Sequence, residues 1–565
     1  MCSESCPPTI LPNSSTILMS YQAVRAISLM SVFLSLYMCQ SVSAGDVPGP
    51  DSKISEVIDY YVGGKLQSES IVAARLIDDL AFLRRLSLDL AGRVPTVQEQ
   101  ADYMALPESE RREKLVELLV SQSDFAFHQA NEIDLLLLAR LKKDNDWREF
   151  LLQAAKENRS WETIFKQVMT PEVECPDQVG PAAFLRERIR ELDDLTNDTA
   201  ILFFGVNISC AKCHDHPLVA DWEQDHYFGM SSFFKRTYQT KARMVAEDFQ
   251  GDVKFTNILG EEIQAEFMFL SNVSVSEEKI ELAEDERKKL EEAVKQAKND
   301  EKVSAPEVSF SPRTKFVDLA LSQDKQNFFA RNIVNRTWAR LIGYGLVMPL
   351  DQMHSDNPAS HPELMDWLVN DLKTHNYDLK RLISGIVISE TYARSCRWIS
   401  EDELPTPSLF ATGTVRPLNP RQLALSLIIA TSNSERLPGF EKPDDWEKQR
   451  TDFENRSSGF ADLFPIPDVG FQVGTDEALL FSNSDRFANE FLRTSDDRLI
   501  GELKKIESSE IAVEKVYQSI FCREPTEVEK QALLQYLDRD QESKETVLQQ
   551  VVWALLASPE FRFNH

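Results

Sequence analysis

The chain has 565 residues, 42% of them hydrophobic, and its 91 acidic residues outnumber 62 Lys and Arg to leave a formal net charge of −29. That length has room for two or more cores. With no basic cluster anywhere, the charge argues for solubility and against nucleic acid or an anionic membrane surface as partner.

Residues 1–44 read as a signal peptide. Arg25 precedes an apolar run from Ala26 to Met38, and Val42-Ser43-Ala44 forms a small-x-small exit before Gly45. The run is too short for a permanent membrane span, and Met38 before Cys39 is the wrong residue for a lipobox. The mature chain is therefore expected to be exported, to the periplasm or cell envelope. It would keep Cys175, Cys210, Cys213, Cys396 and Cys522, too few and too scattered for a disulfide scaffold.

Residues 52–238 are expected to form a helical domain. From Ile71 to Leu90 apolar residues return at steps of three and four. Gly92 suits a left-handed cap, Pro95 bars continuation, and Thr96 with Glu99 has the capping-box spacing. Arg85 and Asp89 sit at i,i+4, the spacing of a helix-face ion pair. Amphipathic segments follow around 112–119, 130–141 and 147–155, and a helix from about Ala182 to Phe204 leads into SCAKCHDHP. Beyond it Trp222, Tyr227, Phe228, Phe233 and Phe234 are read as core rather than as walls of a flat cofactor.

Residues 243–312 change texture. Alternation at Val253 and Phe255, then at Ile263 to Phe269 across Gly260, predicts a hairpin or small sheet. A highly charged helix over 276–302 keeps only a thin stripe at Ile280, Ala283, Leu290, Val294 and Ala297. Residues 313–565 are expected to form a second helical domain, with an irregular excursion over 433–475. The fold class is thus mainly α: two helical domains with a small β insertion and a charged helical arm between them.

Cys210, Cys213 and His214 make a Cys-x-x-Cys-His motif, followed by Asp215 and His216. Two thiols that can add to haem vinyl groups, beside an imidazole for the axial position, are what haem c attachment needs. His226 and Met230 lie within chain reach as a second axial ligand; His216 is too close to circle the ring. The alternative is a zinc or iron site drawing on the thiols with His214, His216 and His226, and the blandest is a local disulfide. A thioredoxin-like dithiol lacks its βαβ context.

A second polar cluster, Asp351, His354, Asp356, Asn357 and His361, could line a cleft, although Ser360 with Glu363 has capping-box spacing and Pro362 suits a first helical turn. In RNIVNRTWAR, the residues Arg331, Asn335, Arg336 and Trp338 are expected to tie helices together. There is no Gly-rich phosphate loop and no Gly-x-Ser-x-Gly elbow.

The stretches FLRRLSLDLAGRVPT, FFGVNISCAKCHDHPLVADWEQDHYFGMSSFF, FFARNIVNRTWARLIGYGLVMP, HPELMDWLV and LLASPEFRFNH resemble a paired architecture. The first part, about 52–238, resembles the Planctomycete cytochrome-like domain of unknown function. The second, about 313–562, resembles its usual companion domain. The resemblance implies no settled activity; its motif falls on Cys210, Cys213, His214, Asp215 and His216. Many relatives carry a separate cytochrome c domain ahead of the pair. None is read here, which implies a redox partner in trans, or an envelope protein as partner. The function expected is that of an exported c-type haem protein, in electron transfer or a haem-assisted redox step.

Overall fold

Periodic apolar residues and well-placed caps set the helices. The computed structural model describes residues 47–138, 144–172, 179–217, 219–257, 260–278, 282–464, 481, 484–538 and 543–565. The expected signal segment, Cys175 and Ile280 lie outside them. Over these residues the protein is mainly α. The first helices are Ile54–Ser68, Asp79–Leu90, Val97–Met104 and Arg111–Ser121. Thr96 and Glu99 close the expected capping box, with Thr96 Oγ1 accepting from the Glu99 N–H at 3.0 Å. Gly92 takes the left-handed conformation at φ +70° just past the second helix.

The second helix starts later than its apolar spacing suggests. Asp78 caps it by accepting from Ala81 N–H, and residues 71–78 run extended, bridging to Arg394 through Leu76. The Arg85–Asp89 ion pair does not form. Arg85 donates to the carbonyls of Tyr392 and Arg394 at 2.5 and 2.9 Å. Asp89 instead accepts from Arg416 Nη2 at 2.7 Å, the Tyr392 hydroxyl at 2.7 Å and Asn564 Nδ2 at 3.0 Å. Both side chains are buried, so partners distant in the chain displace the local pair.

The helix expected over 182–204 is two, Ala183–Arg188 and Leu192–Phe204, broken at the extended Glu191. The aromatic run after the motif occupies helix Gln224–Phe234, where Tyr227, Phe233 and Phe234 are buried. Phe233 and Phe234 pack on Phe316 at 5.5 and 5.1 Å, the core use expected. The β insertion is three two-stranded antiparallel hairpins: 237–239 with 245–247, 254–256 with 262–264, and 267–269 with 273–275. The charged arm is helix Glu284–Asn299, burying only Val294 and Ala297.

The apolar core ignores the expected boundary at 312/313. One cluster takes Ile54, Phe203, Phe204 and Phe269 together with Phe316, Trp338, Leu368 and Phe410. A second draws on 418–561 and adds Leu88 and Val94 from the first helices. Residues 52–565 form one unit, and the first cluster also takes in Phe440 and Cys522.

Residues 465–475 of the expected irregular excursion lie outside the described residues, and its described part contains a long helix instead. Residues Pro443–Ala461 form its 19 residues, and its charge is not all solvated. Arg450 Nη1 donates to Asp124 Oδ1 at 2.9 Å, and the Trp446 indole N–H donates to Asp124 Oδ2. Arg93 donates to Asp124 Oδ2 and to both oxygens of Glu99, each at 2.7 Å, and stacks 4.0 Å over the Trp446 ring. Arg93, Asp124 and Arg450 are fully buried.

Removing the anion from a buried ion network leaves its cations uncompensated, at a cost of about 3–5 kcal/mol. Asp124→Ala is expected to destabilise the chain by that amount in urea unfolding followed by circular dichroism. A loss below ~1 kcal/mol would show that the network contributes little beyond exposed pairs.

Candidate functional site

The strap leading to the motif, residues 201–209, is the last turn of a helix and the residues just after it, and it is fixed before the motif begins. Helix Leu192–Phe204 ends at Gly205, which sits at φ +69°, a conformation that Gly adopts at little steric cost. A Cβ there would lie 2.9 Å from Asn332 Oδ1 and 3.1 Å from Met353 Sδ. Helix Phe328–Ile342 grips the same strap. Asn332 Nδ2 donates to the Leu202 carbonyl at 2.7 Å, and Arg336 donates to the Ile201 carbonyl at 2.8 Å and to Asn332 Oδ1 at 2.9 Å. Burial pulls the Arg336 guanidinium down to about 10, opposed by nearby Asp351.

The strap then pairs with the second polar cluster. Met353 N–H donates to the Gly205 carbonyl at 2.9 Å, Val206 bridges to Gln352, and Asn207 Nδ2 donates to Asp351 Oδ2 at 3.0 Å. Beyond the motif, Asp221 accepts from both the N–H and the hydroxyl of Ser355 at 2.8 Å. The motif is thus a loop clamped at both ends by residues 328–355.

Cys210 and Cys213 lie on and just after a 3-10 turn, Ser209–Lys212, and both are exposed free thiols. Lys212 on that turn pairs with Asp193, which also accepts from the Tyr227 hydroxyl at 2.5 Å. These two bonds, Lys212 first, hold the Asp193 carboxyl below its usual range.

The three imidazoles are not equivalent. In exposed His214, Nδ1 lies 2.7 Å from the Asp215 carbonyl. A carbonyl only accepts, so Nδ1 carries the proton and Nε2 keeps its lone pair. In His216 and His226 the pattern reverses. Their Nδ1 atoms accept from Val219 N–H and Glu223 N–H, each at 3.1 Å, which places the proton of the neutral ring on Nε2. Burial, then His354 and His214, push His216 below the usual imidazole range; burial does the same to His226, opposed by Glu223 and Asn272. Of the three, His214 alone presents a ligating nitrogen in this arrangement. Among the described residues no three His, Cys, Asp or Glu side chains converge as a metal-ligand set.

A cavity lined by residues just past the motif has a volume of about 720 Å³. Trp222 and Asp221 line it, and Cys210, Cys213 and His214 do not. Cys210, Cys213 and His214 are all exposed to solvent. The donor set itself fits haem attachment: two exposed, unpaired thiols and an imidazole whose Nδ1–H is already anchored.

The second cluster divides. His354 and Asn357 line the cavity with Arg331, whereas Asp351 anchors the strap and Asp356 is exposed. Ser360 and Glu363 form no capping box. Helix Pro362–Thr374 begins after His361, and Ser360 Oγ lies 3.1 Å from His361 Nδ1 instead. Asn335 ties its helix to Val347, donating to the carbonyl and accepting from the N–H. Asp221 carries no signal in the sequence, because the partner that gives it a role lies 134 residues away.

Asn332→Ala removes one anchor of the strap and leaves the Leu202 carbonyl and Arg336 short of partners, a loss of about 1–3 kcal/mol. Amide hydrogen exchange over 201–216 is expected to quicken while that of helix Ser509–Phe521 stays unchanged. Equal exchange in both variants would show that the strap is held elsewhere.

Burial also takes His361 down to about 4. Its unfolded ring titrates near 6.5, so the folded state prefers it neutral, and stability falls as pH drops from about 6.5 towards 4. His361→Gln is expected to recover up to about 3 kcal/mol of that acid loss in urea titrations at pH 4 and pH 7. An unaltered pH slope would mean that His361 stays neutral in both states or charged in both.

Comparison with family models finds two matching segments. Residues 57–239 match PSCyt2, described as a protein of unknown function (DUF1549), and residues 312–459 match PSD1, a protein of unknown function (DUF1553). No curated protein and no solved structure matches the chain. The two matches, first PSCyt2 and then PSD1, are thus to domains of unknown function in that order along the chain.

Proposed function

We propose that the protein is an exported carrier of covalently attached haem, held by Cys210 and Cys213 with His214 as the iron ligand, and that it takes part in one-electron transfer. The observation that carries this reading is the His214 ring: Nδ1–H donated to the Asp215 carbonyl, Nε2 free, directly after two exposed free thiols. Haem, when bound, supplies a reversible one-electron couple. The chain's own residues do the positioning. Each thiol would add its S–H across a vinyl group. The Asp215 carbonyl fixes the ring tautomer and raises the basicity of Nε2. Gly205, Asn332 and Arg336 hold the loop in place.

Exposure of the motif suits exchange with a separate redox protein, since tunnelling favours a site at the surface over one under a protein shell. The zinc or iron reading has less support, because the Nδ1 atoms of His216 and His226 already accept from backbone N–H groups and His226 is buried. The disulfide reading remains the outcome of a failed test.

The chain should be expressed in a periplasm with an active cytochrome c maturation system. A Soret band that stays with the polypeptide through a denaturing gel, and is lost in Cys210→Ser with Cys213→Ser, is the expected result. A colourless protein at normal yield would overturn the reading, and thiol counting would then show whether Cys210 and Cys213 are joined.

A further inference from the structure

The cavity of about 720 Å³ lies within the span of small-molecule sites, about 300–1,000 Å³. It is walled by Asp221 and Trp222 beside the motif, by Leu270 and Asn272 of the last hairpin, and by residues 325–331 and 347–370 of the second segment. None of the three proposed haem-holding residues lines it, so a ligand in this cavity is independent of the haem reading.

Its polar inventory selects the ligand. Among the described residues the side chains of Lys325, Gln326 and Asn370 make no hydrogen bond or ion pair, although all three line the cavity. His354 adds a buried Nδ1 with no partner. Arg331 uses Nη1 on Asp366 at 2.6 Å and keeps its other donors. Asp221 bonds Ser355 and retains lone pairs on both oxygens.

The lining therefore holds two cations, Lys325 and Arg331, and two carboxylates, Asp221 and Asp366, together with the amides of Gln326 and Asn370. An anion would face both carboxylates, and a cation would face Lys325 and Arg331. A hydrocarbon would cover the exposed amides of Gln326 and Asn370 without offering them a hydrogen bond. Unpaired amides donate and accept at once, and the group that matches them does both as well: a hydroxyl. The lining also includes Trp222 and Phe328, largely buried rings 5.9 Å apart whose cavity-facing edges are apolar contact for C–H groups.

We propose that this cleft binds an uncharged polyhydroxylated ligand, a sugar of one or two rings, through Gln326, Asn370, His354 and Asp221 against the Trp222 and Phe328 rings.

The test is saturation-transfer NMR on the full chain with glucose, maltose, cellobiose and N,N′-diacetylchitobiose as separate probes, repeated on Gln326→Leu with Asn370→Leu. The two replaced residues are exposed, and the thermal midpoint of the variant is checked first. Should the pair misfold, Asn370→Leu alone takes its place. Transfer from at least one probe, weakened about tenfold in Kd by the variant, is expected from the loss of two hydrogen-bonding amides. Three outcomes overturn the proposal: no transfer from any of the four, transfer that the variant leaves unchanged, or displacement of the sugar by citrate, which would make the cleft an anion site. Because the measurement needs no haem, its result stands whether or not the preparation is coloured.

Discussion

Close approach at Gly205 is the constraint on which the candidate site depends. The strap 201–209 lies against helix Phe328–Ile342 with position 205 in the left-handed region, where a Cβ would come within 2.9 Å of Asn332 Oδ1 and 3.1 Å of Met353 Sδ. Once there, Asn332 and Arg336 bond the carbonyls of Leu202 and Ile201, and Gly205 and Asn207 bond Met353 and Asp351. The cysteine motif inherits its place from these contacts. It belongs to the PSCyt2 segment in sequence and is held by the PSD1 segment in space. The two segments are therefore a structural unit around the motif, and a PSCyt2 segment alone would present the same thiols on a looser loop.

The same logic runs through the interior, where arginines act as cross-links. Arg84 and Arg85 reach backbone carbonyls more than 300 residues away, and Arg313 donates to the Met169 carbonyl at 2.9 Å. Planar guanidinium forks satisfy several acceptors at once, which suits helix ends that meet without regular pairing. In a chain with a net charge of −29, cations used this way are withdrawn from the surface. The outer face is left acidic while the interior is held by charge-assisted bonds.

Two features of different character meet beside the strap. One is an open motif of two thiols and an imidazole, suited to carrying a group at the surface. The other is a neutral cleft with unpaired amides, suited to a polar ligand. Asp221 and Trp222 join them, eight and nine residues after Cys213, and His354 touches both: it lines the cleft and lies near enough to His216 to depress its pKa. The two features are thereby neighbours through shared residues, with no domain rearrangement needed to bring them together.

Short-range physics was legible along the chain. Helical periodicity, the Thr96–Glu99 box, the turn at Gly92, the hairpin at 254–264 and the core role of Tyr227, Phe233 and Phe234 could all be read from neighbours within a few residues. So could the mainly α class and the motif. The rest took its form from packing. Arg85 and Asp89 pass each other for distant partners, Trp446 and Arg450 turn part of an apparently loose, charged excursion into a helix anchored on Asp124, and the core runs through the boundary expected at 312/313. A charged side chain looks the same in sequence whether water or a buried counter-charge will receive it. Its partner is set by which surfaces the fold brings together, and that is a property of the packed chain rather than of any window along it.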